Sequence, residues 1–474
     1  MLKTKCFRAS ALFLFTIIVF GISSCTAPSF YKKAYGFNKT IASGDFEAAE
    51  IMLEEHKDEL EDSKIRFLYF VNAGMVEHLK GEFEKSNEFF EKADLFVEDF
   101  RKKALEEGAS LLLNPNISTY HGEDHEVLLI NYYKALNYYL LGNNNDALVE
   151  VRRLNLQLIS LSEKYKDDSK YTQDAYMHLL MGLIYEANRD YNDAFIAYRN
   201  AYEIYQSDYA TMFGLSAPDQ LKKDLIRSSV LAGMSSEQRK YEKEFDMKYE
   251  TEAGKGSMVL LWHNGMGPIK EEWGINFAIV YTGNGWINFV SKEYGLSFPF
   301  YVGNTDLGGI TWIKVAFPKY VERQMLINNA VLENGSEKHN VELVENINTI
   351  SFKVLDQRMG LEFSKALLRV AIKQAAAHKI GESQDSPALG AALSIAASAT
   401  ESADTRNWQT LPHSIYYSRV VLPVGEQTLN LKLDGVMGVH ENHEIEVDVK
   451  LGETIIYPFY SLAASDPLAV PAAR

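Results

Sequence analysis

Cysteine is scarce: Cys6 and Cys25 are the two in 474 residues, and both lie near the amino terminus. The body of the chain beyond them has no thiol, which excludes an internal disulfide, a zinc–thiolate site and a cysteine nucleophile. Positive charge is also in short supply, with 48 Lys and Arg against 64 Asp and Glu and a formal charge of −16. Binding a polyanion needs a basic face and counterion release, so no nucleic-acid partner is expected. Beyond the first 24 residues no stretch offers the roughly 20 uninterrupted apolar residues of a membrane-spanning helix. The small-residue run Ala388 to Ala399 is short and reads as a closely packed helix, because small side chains bury little area in a membrane. G-x-S-x-G, a P-loop and a G-x-G-x-x-G after a strand are all missing. Nucleophile-elbow hydrolysis and phosphate cradling therefore lack support, and no cofactor or metal is expected.

What is present is material for a core. Apolar residues make up 46% of the chain, 27 Tyr and 25 Phe supply large rings, and the length allows two or three domains at about 100–200 residues each. At the amino terminus Lys3, Lys5 and Arg8 precede the apolar run Ala11 to Gly21, which has the length of a signal h-region. The run ends in Ile22-Ser23-Ser24-Cys25, which resembles the bacterial lipobox. That resemblance implies removal of residues 1–24, a mature charge of −19 and acylation of Cys25 by diacylglyceryl and N-acyl chains of the palmitate class. Several chains give stable anchoring where one gives only marginal binding. Thr26-Ala27-Pro28-Ser29 carries neither an Asp at the second mature position nor an acidic cluster, so the expected location is the periplasmic face of the outer membrane.

Residues 25–250 read as a helical array. Gly182, Tyr185, Ala194, Tyr198 and Ala201 stand at offsets that resemble the tetratricopeptide repeat. In such a hairpin the small residues mark where two helices cross, the tyrosines fill the groove between them, and the last alanine meets the next pair. Gly74, Gly81, Phe83, Phe90 and Ala93 repeat the pattern, as do Ala135, Tyr138, Gly142 and Ala147, with a degenerate copy at Gly44, Phe46 and Ala49. Each repeat leaves an apolar face that a neighbour must cover, and such arrays present a concave surface to a protein partner.

Composition changes after residue 250. Met258 to Trp262, Phe277 to Tyr281, Trp286 to Val290 and Ile310 to Phe317 are strand candidates between Asn264-Gly265, Gly283-Asn284-Gly285 and Leu307-Gly308-Gly309 turns. Helices are expected over Phe363 to Ile380 and Ala388 to Ser402. Strands return at Ile415 to Leu422, Gln427 to Leu433, Glu444 to Leu451 and Thr454 to Phe459. The third alternates Ile445, Val447, Val449 and Leu451 with charged residues, the mark of a half-exposed antiparallel sheet. The expected fold is α+β and multi-domain: a repeat domain (25–250), a mixed α/β region (251–412) and a β-sandwich-like unit (413–474).

TESADTRNWQTLP (400–412), with HNGMGPIKEE (263–272), VAFPKYV (315–321), YHGEDHEVLLINYYKALNYYLLG and VEVRRLN, resembles a family of uncharacterised bacterial outer-membrane lipoproteins. Members pair tetratricopeptide-like repeats with a C-terminal domain carrying an A-D-T-R-x-W-x-x-L-P motif. The resemblance implies a setting in cell-envelope biogenesis and carries no active site across.

Glu401, Asp404, Arg406 and Trp408 form the candidate cluster, with Arg as a bidentate fork and Trp as a stacking plate for a carboxylate or sugar. The blander expectation is that Asp and Arg pair with each other at a domain junction. His121-Gly-Glu-Asp-His125 and His440-Glu-Asn-His443 lack zincin spacing and read as solvated loops. Glu150, Arg152 and Arg153 read as an exposed charged face. The expectation is a non-enzymatic, lipid-anchored adaptor holding a protein partner on its repeats, in peptidoglycan or surface-polysaccharide synthesis for example. The alternatives are a glycan- or peptide-acting hydrolase using Asp404, Glu401 or Glu272, which needs two facing carboxyls about 5–9.5 Å apart, and an accessory of a secretion or export apparatus.

Overall fold

The computed structural model describes residues 28–107, 118–165, 170–250, 252–303, 311–383 and 402–467. Cys25, Glu401, the Leu307-Gly308-Gly309 turn and the expected helix from Ala388 lie outside the described residues. The first half is helical: α1 (Phe30–Lys33), α2 (Tyr35–Ala42), α3 (Phe46–Glu54), α4 (Lys57–Glu61), α5 (Arg66–Lys80), α6 (Phe83–Glu107), α7 (Asp124–Leu140), α8 (Asn144–Lys164), α9 (Ala175–Ala187), α10 (Tyr191–Tyr205), α11 (Asp208–Phe213), α12 (Asp219–Leu231) and α13 (Ser235–Phe245).

Five pairs, α2/α3, α5/α6, α7/α8, α9/α10 and α12/α13, reverse through one left-handed residue: Gly44, Gly81, Gly142, Arg189 and Gly233, with φ from 63° to 82°. In each, the next N–H donates to the carbonyl five residues back, as Glu82 does to Glu77 at 2.9 Å and Asn143 to Tyr138 at 2.8 Å. This closes an otherwise orphaned carbonyl and turns the chain at little cost where glycine supplies the positive φ. The fifth pair comes from a stretch read only as helix-forming, because it lacks the Gly–aromatic–Ala spacing of the others. Where helices cross, a Cβ on Gly74 would lie 2.9 Å from the Phe90 ring, and one on Gly182 would lie 2.4 Å from the Tyr198 ring. Ala93, Ala135, Ala147, Ala194 and Ala201 are wholly buried. Tyr138 and Tyr185 are only half buried; Tyr185 turns outward beside Arg152 of α8 instead of filling the hairpin groove.

The second half is β-rich: β1 (Lys255–Asn264), β2 (Ile269–Gly283), β3 (Trp286–Ser291), β4 (Leu296–Tyr301), β5 (Trp312–Val321), β6 (Ile327–Asn334), β7 (Glu337–Asn340), β8 (Glu342–Asn346), the long helix α14 (Ile347–Ser383), then β9 (Ser414–Pro423), β10 (Gly425–Gly435), β11 (His440–Val449) and β12 (Thr454–Ser461). They make three sheets, ordered β12-β1-β9-β8, β11-β10-β6-β7 and β4-β3-β2-β5. β1 runs parallel to β12 and antiparallel to β9. The expected boundary at 412 therefore falls inside one structural unit: β1 from the middle region is the inner strand between β9 and β12. Strands β4, β6, β7 and β8 were not foreseen, and α14 starts at Ile347 instead of Phe363.

Three layers result. Met258, Leu260 and Trp262 of β1 pack with Leu429, Leu431 and Leu433 of β10 inside the sandwich. The alternate residues Val259 and Leu261 join Ile415, Tyr417 and Ile456 in the core of the helical array. Burial on both faces explains why β1 reads as an unbroken apolar run and not an alternating one. The third sheet covers one face with the C-terminal half of α14 through Phe363, Leu367, Val370 and Ala371.

The crossing geometry makes a paired prediction for thermal or urea unfolding. Gly182→Ala destabilises by about 1–3 kcal/mol, because the added methyl meets a fixed ring. Gly360→Ala, in α14 with nothing within 4 Å of the new methyl, stabilises by about 0.5–1 kcal/mol.

Candidate functional site

The concave surface of the helical array, where a partner was expected, is filled by the chain itself. One continuous core joins the array to Val259, Leu261, Val344, Ile347, Trp408, Leu411, Ile415, Tyr417 and Ile456. The first helix of each central hairpin touches the first sheet. His78 of α5 meets Tyr460 of β12, Tyr132 of α7 meets His263 of β1, and Glu186 of α9 meets Arg419 of β9.

The segment before β9 is laid into that groove as an extended strap. Every residue from Thr405 to Ile415 is buried, although 405–408 belong to no helix or strand, so side chains must satisfy the backbone. Trp408 N–H donates to Glu126 Oε1 at 2.7 Å, and Ala403 N–H donates to Glu272 Oε2 at 3.0 Å. Gln409 carbonyl accepts from Arg323 Nη2, and Gln409 Oε1 accepts from Asn38 Nδ2 at 2.8 Å. The Trp408 ring, 1% exposed, lies 5.9 Å from the Phe90 ring and 6.0 Å from that of Tyr133. Its Nε1–H donates to Thr410. Arg406 forks onto Asp404 with two contacts of 2.8 Å, donates to the Ser118 carbonyl at 2.9 Å and lies over Tyr120. The fork and the plate of the expected ligand pocket thus hold the chain to itself, and Asp404 and Glu272 are both engaged. Neither lines the two surface clefts described below.

Beneath β9 lies a buried ion network that the sequence reading missed. Arg419, 4% exposed, donates to both oxygens of Glu186 at 2.9 and 3.0 Å and lies 2.8 Å from Asp224. Arg227, Thr454 and Tyr198 also donate to Glu186, and Tyr417 donates to Asp224. Burial alone would raise the Glu186 carboxyl; Arg419 and Arg227 more than offset it and hold it well below the usual range. Asp224 is raised, burial and the neighbouring Glu186 charge outweighing Arg419. The signals were a lone Arg in the apolar strand SIYYSRVVLP and a Glu in the apolar helix AYMHLLMGLIYEA.

Six residues further along β1 and β12 lies a cluster of neutral histidines. His78 Nδ1–H donates to Asn137 Oδ1 while Nε2 accepts from Tyr460, and His263 stacks on the Tyr460 ring at 4.3 Å. Burial pushes His78 down to about 4; burial and the nearby His78 push His263 to about 3. His125 is likewise pushed to about 4 by burial.

The segment His121 to His125 is therefore not a solvated loop throughout. Glu123 and Glu126 form a capping box at the start of α7. Glu123 is ion-paired with Lys270 and Arg358, whereas burial and the Glu123 charge raise Glu126 to about 7. His440 and His443 lie on β11 instead of a loop, paired with Asp434 and Glu441. Among the described residues no cluster of three or more His, Cys, Asp or Glu is arranged to hold a metal ion. Glu150 is buried against Lys134 and Asn131, while Arg152 and Arg153 are exposed.

The opposite, outward face of the array stays open. Leu156, Ile159 and Val149 of α8 are 64%, 49% and 44% exposed. A cleft of about 560 Å³ runs between α8 and α10, lined by Asn155, Ile159, Glu163, His178, Asn200 and Glu203. A second, of about 580 Å³, lies between α6 and the α7/α8 turn, with Tyr138 in its wall.

Two outcomes follow. Trp408→Ala lowers unfolding stability by about 3–5 kcal/mol, the range for emptying a large buried ring site. A histidine whose folded pKa is depressed contributes stability present above pH 6.5 and lost as pH falls toward its folded value. For His78 that window runs from 6.5 to about 4. His78→Gln should therefore shrink the stability difference between pH 7 and pH 5 by about 2 kcal/mol in urea titrations.

No family model and no curated protein matches the chain. Among solved structures it is similar to BtubC (BKLC) from P. vanneervenii, with 15% identity over 45% of this chain and 79% of that one, at a TM-score of 0.30. It is also similar to MamA protein, with 13% identity over 45% and 94% at a TM-score of 0.27. A third likeness is to the TPR2AB domain of yeast Sti1 in complex with pHSP90, with 15% identity over 45% and 76% at a TM-score of 0.17.

Proposed function

We propose that the protein is a non-enzymatic scaffold, anchored through acylated Cys25 to the periplasmic face of the outer membrane, that binds a protein partner in cell-envelope biogenesis. The observation that carries this reading is the contrast between the two faces of the array. The concave face is core, so a partner does not dock there. The outward face of α8 keeps Val149, Leu156 and Ile159 in solvent beside the cleft toward α10, an arrangement that favours association with another apolar surface. The carboxylates considered for hydrolysis, Asp404 and Glu272, are bound to Arg406 and to the strap backbone, which favours binding over catalysis.

A photo-crosslinking amino acid at Ile196 of α10 in the intact envelope should give a discrete protein adduct that Leu156→Asp with Ile159→Asp abolishes while the melting temperature is unchanged. Adducts that survive the double substitution would contradict this docking face. Cys25→Ser should move the protein from the membrane fraction to the soluble fraction, and an unmodified Cys25 in the wild-type mature chain would remove the anchor.

A further inference from the structure

The third sheet has a face that no helix or strand among the described residues covers. Alternation on β2 sends Ile275, Phe277 and Ile279 onto α14 and leaves Asn276, Ala278 and Val280 in solvent. The register sets Trp286 opposite Tyr301 and Ala278 opposite Trp312, so the exposed rings gather on this outward face toward one end of the sheet. Trp312 is 64% exposed, Tyr301 66% and Trp286 47%, and the rings of Trp286 and Tyr301 stand 5.4 Å apart. Singly exposed apolar residues are ordinary; three large rings grouped on one face of one sheet are not.

The same region is depleted of acid. From Trp273 to Gly303 the sequence contains one acidic residue, Glu293, against the Lys at 292. The overall frequency of 64 in 474 would place about four there. The connection to β5 adds one acid, Asp306, which lies outside the described residues, and Trp312 to Phe317 adds Lys314 and no acid. The two acids over 273–317 are fewer than the about six expected at the chain's overall frequency.

The other end of β2 is tied to the start of the chain. Ser29 Oγ–H donates to Glu271 Oε1 at 2.7 Å, and Phe30 N–H donates to Thr405 Oγ1 at 2.9 Å. Four Cα–Cα steps lead from Cys25 to Ser29, a reach of at most about 14 Å. From Glu271 to Tyr281 the strand extends about 33 Å. A lipid on Cys25 therefore holds the Ser29 backbone within about 14 Å of a bilayer and keeps the base of β2 near it, and the aromatic end reaches the same surface when the strand lies at a shallow angle to the membrane plane.

We propose that the outward face of the third sheet, through Trp286, Tyr301 and Trp312, docks on the lipid headgroup interface and gives the tethered protein a second membrane contact that fixes its orientation. Trp and Tyr are the side chains that settle at that interface, acid depletion avoids repulsion by anionic headgroups, and the tether supplies the effective concentration that makes a modest contact sufficient. The inference rests on acylation of Cys25, and the test separates the two.

Full-length mature protein is reconstituted in phosphatidylethanolamine–phosphatidylglycerol vesicles containing lipids brominated near the headgroup, and tryptophan emission is read. Of the five tryptophans, Trp262 and Trp408 are buried, so wild type should lose roughly a third of its emission through Trp286 and Trp312. The Trp286→Ala, Trp312→Ala variant should lose almost none beyond its starting value, with its melting temperature retained. Mass spectrometry of the N-terminal peptide reports acylation on the same sample. If Cys25 is unmodified, a His-tag at position 25 bound to nickel-chelating lipid restores the tether, and quenching of Trp286 and Trp312 then still supports the face. Equal quenching in wild type and variant, or none in tethered wild type, overturns the proposal. A wild-type emission change with soluble glycan strands in place of lipid would also overturn it and make the face a sugar platform.

Discussion

A row of helical hairpins has an apolar concave face that must be covered, and everything else in this molecule follows from how it is covered. Stacking hairpins buries the sides of each repeat and leaves the inner helices bare along the curve. Here the cover is a β-sheet from the same chain. β1 is buried on both faces because it is both the floor of the sandwich and the lid of the helical groove. The array and the sandwich share that core and are not independent modules joined by a linker.

Covering a groove with a sheet creates a polar problem that the structure resolves locally. The Ala403–His413 strap runs through the core with little regular pairing, so Glu126, Glu272, Arg323 and Asn38 take the place of a sheet neighbour. The Arg419–Glu186–Asp224 network does the same for charge. Buried pairs of this kind add little stability relative to well-packed apolar residues, but leaving one partner alone is strongly unfavourable. They therefore penalise a shift in how β9 sits on α9 and α12: a one-residue slip of β9 would turn Arg419 to the opposite face, into the sandwich.

Much of this was legible in the sequence, and the failures have physical reasons. The Gly–aromatic–Ala spacing located α5/α6, α7/α8 and α9/α10, since a close crossing demands small residues at set positions. It missed α12/α13, where only Gly233 marks the turn. Strands with β-branched runs were placed within a few residues, whereas Pro299 interrupts the alternation of β4, Asn328 and Asn329 interrupt β6, and β7 and β8 are short and polar. The pairing of Asp404 with Arg406 followed from their proximity. That Trp408 would enter the groove did not, because a buried irregular strap has no periodicity to read. Likewise Glu150 and Glu186 look like surface charge until the residues that meet them, Lys134 and Arg419, are brought in from elsewhere in the chain.

A filled groove makes the inner surface of the array part of the core, while Val149, Leu156 and Ile159 stay exposed on the outer face. Native-state hydrogen exchange tests that claim most directly. The amide of Trp408, held by Glu126, and the amides of β1 should exchange only through global unfolding, with the same urea dependence as the central hairpins. Exchange of the strap or of β1 at low opening energy while α5 to α10 stay protected would show a groove that opens, and would contradict the account.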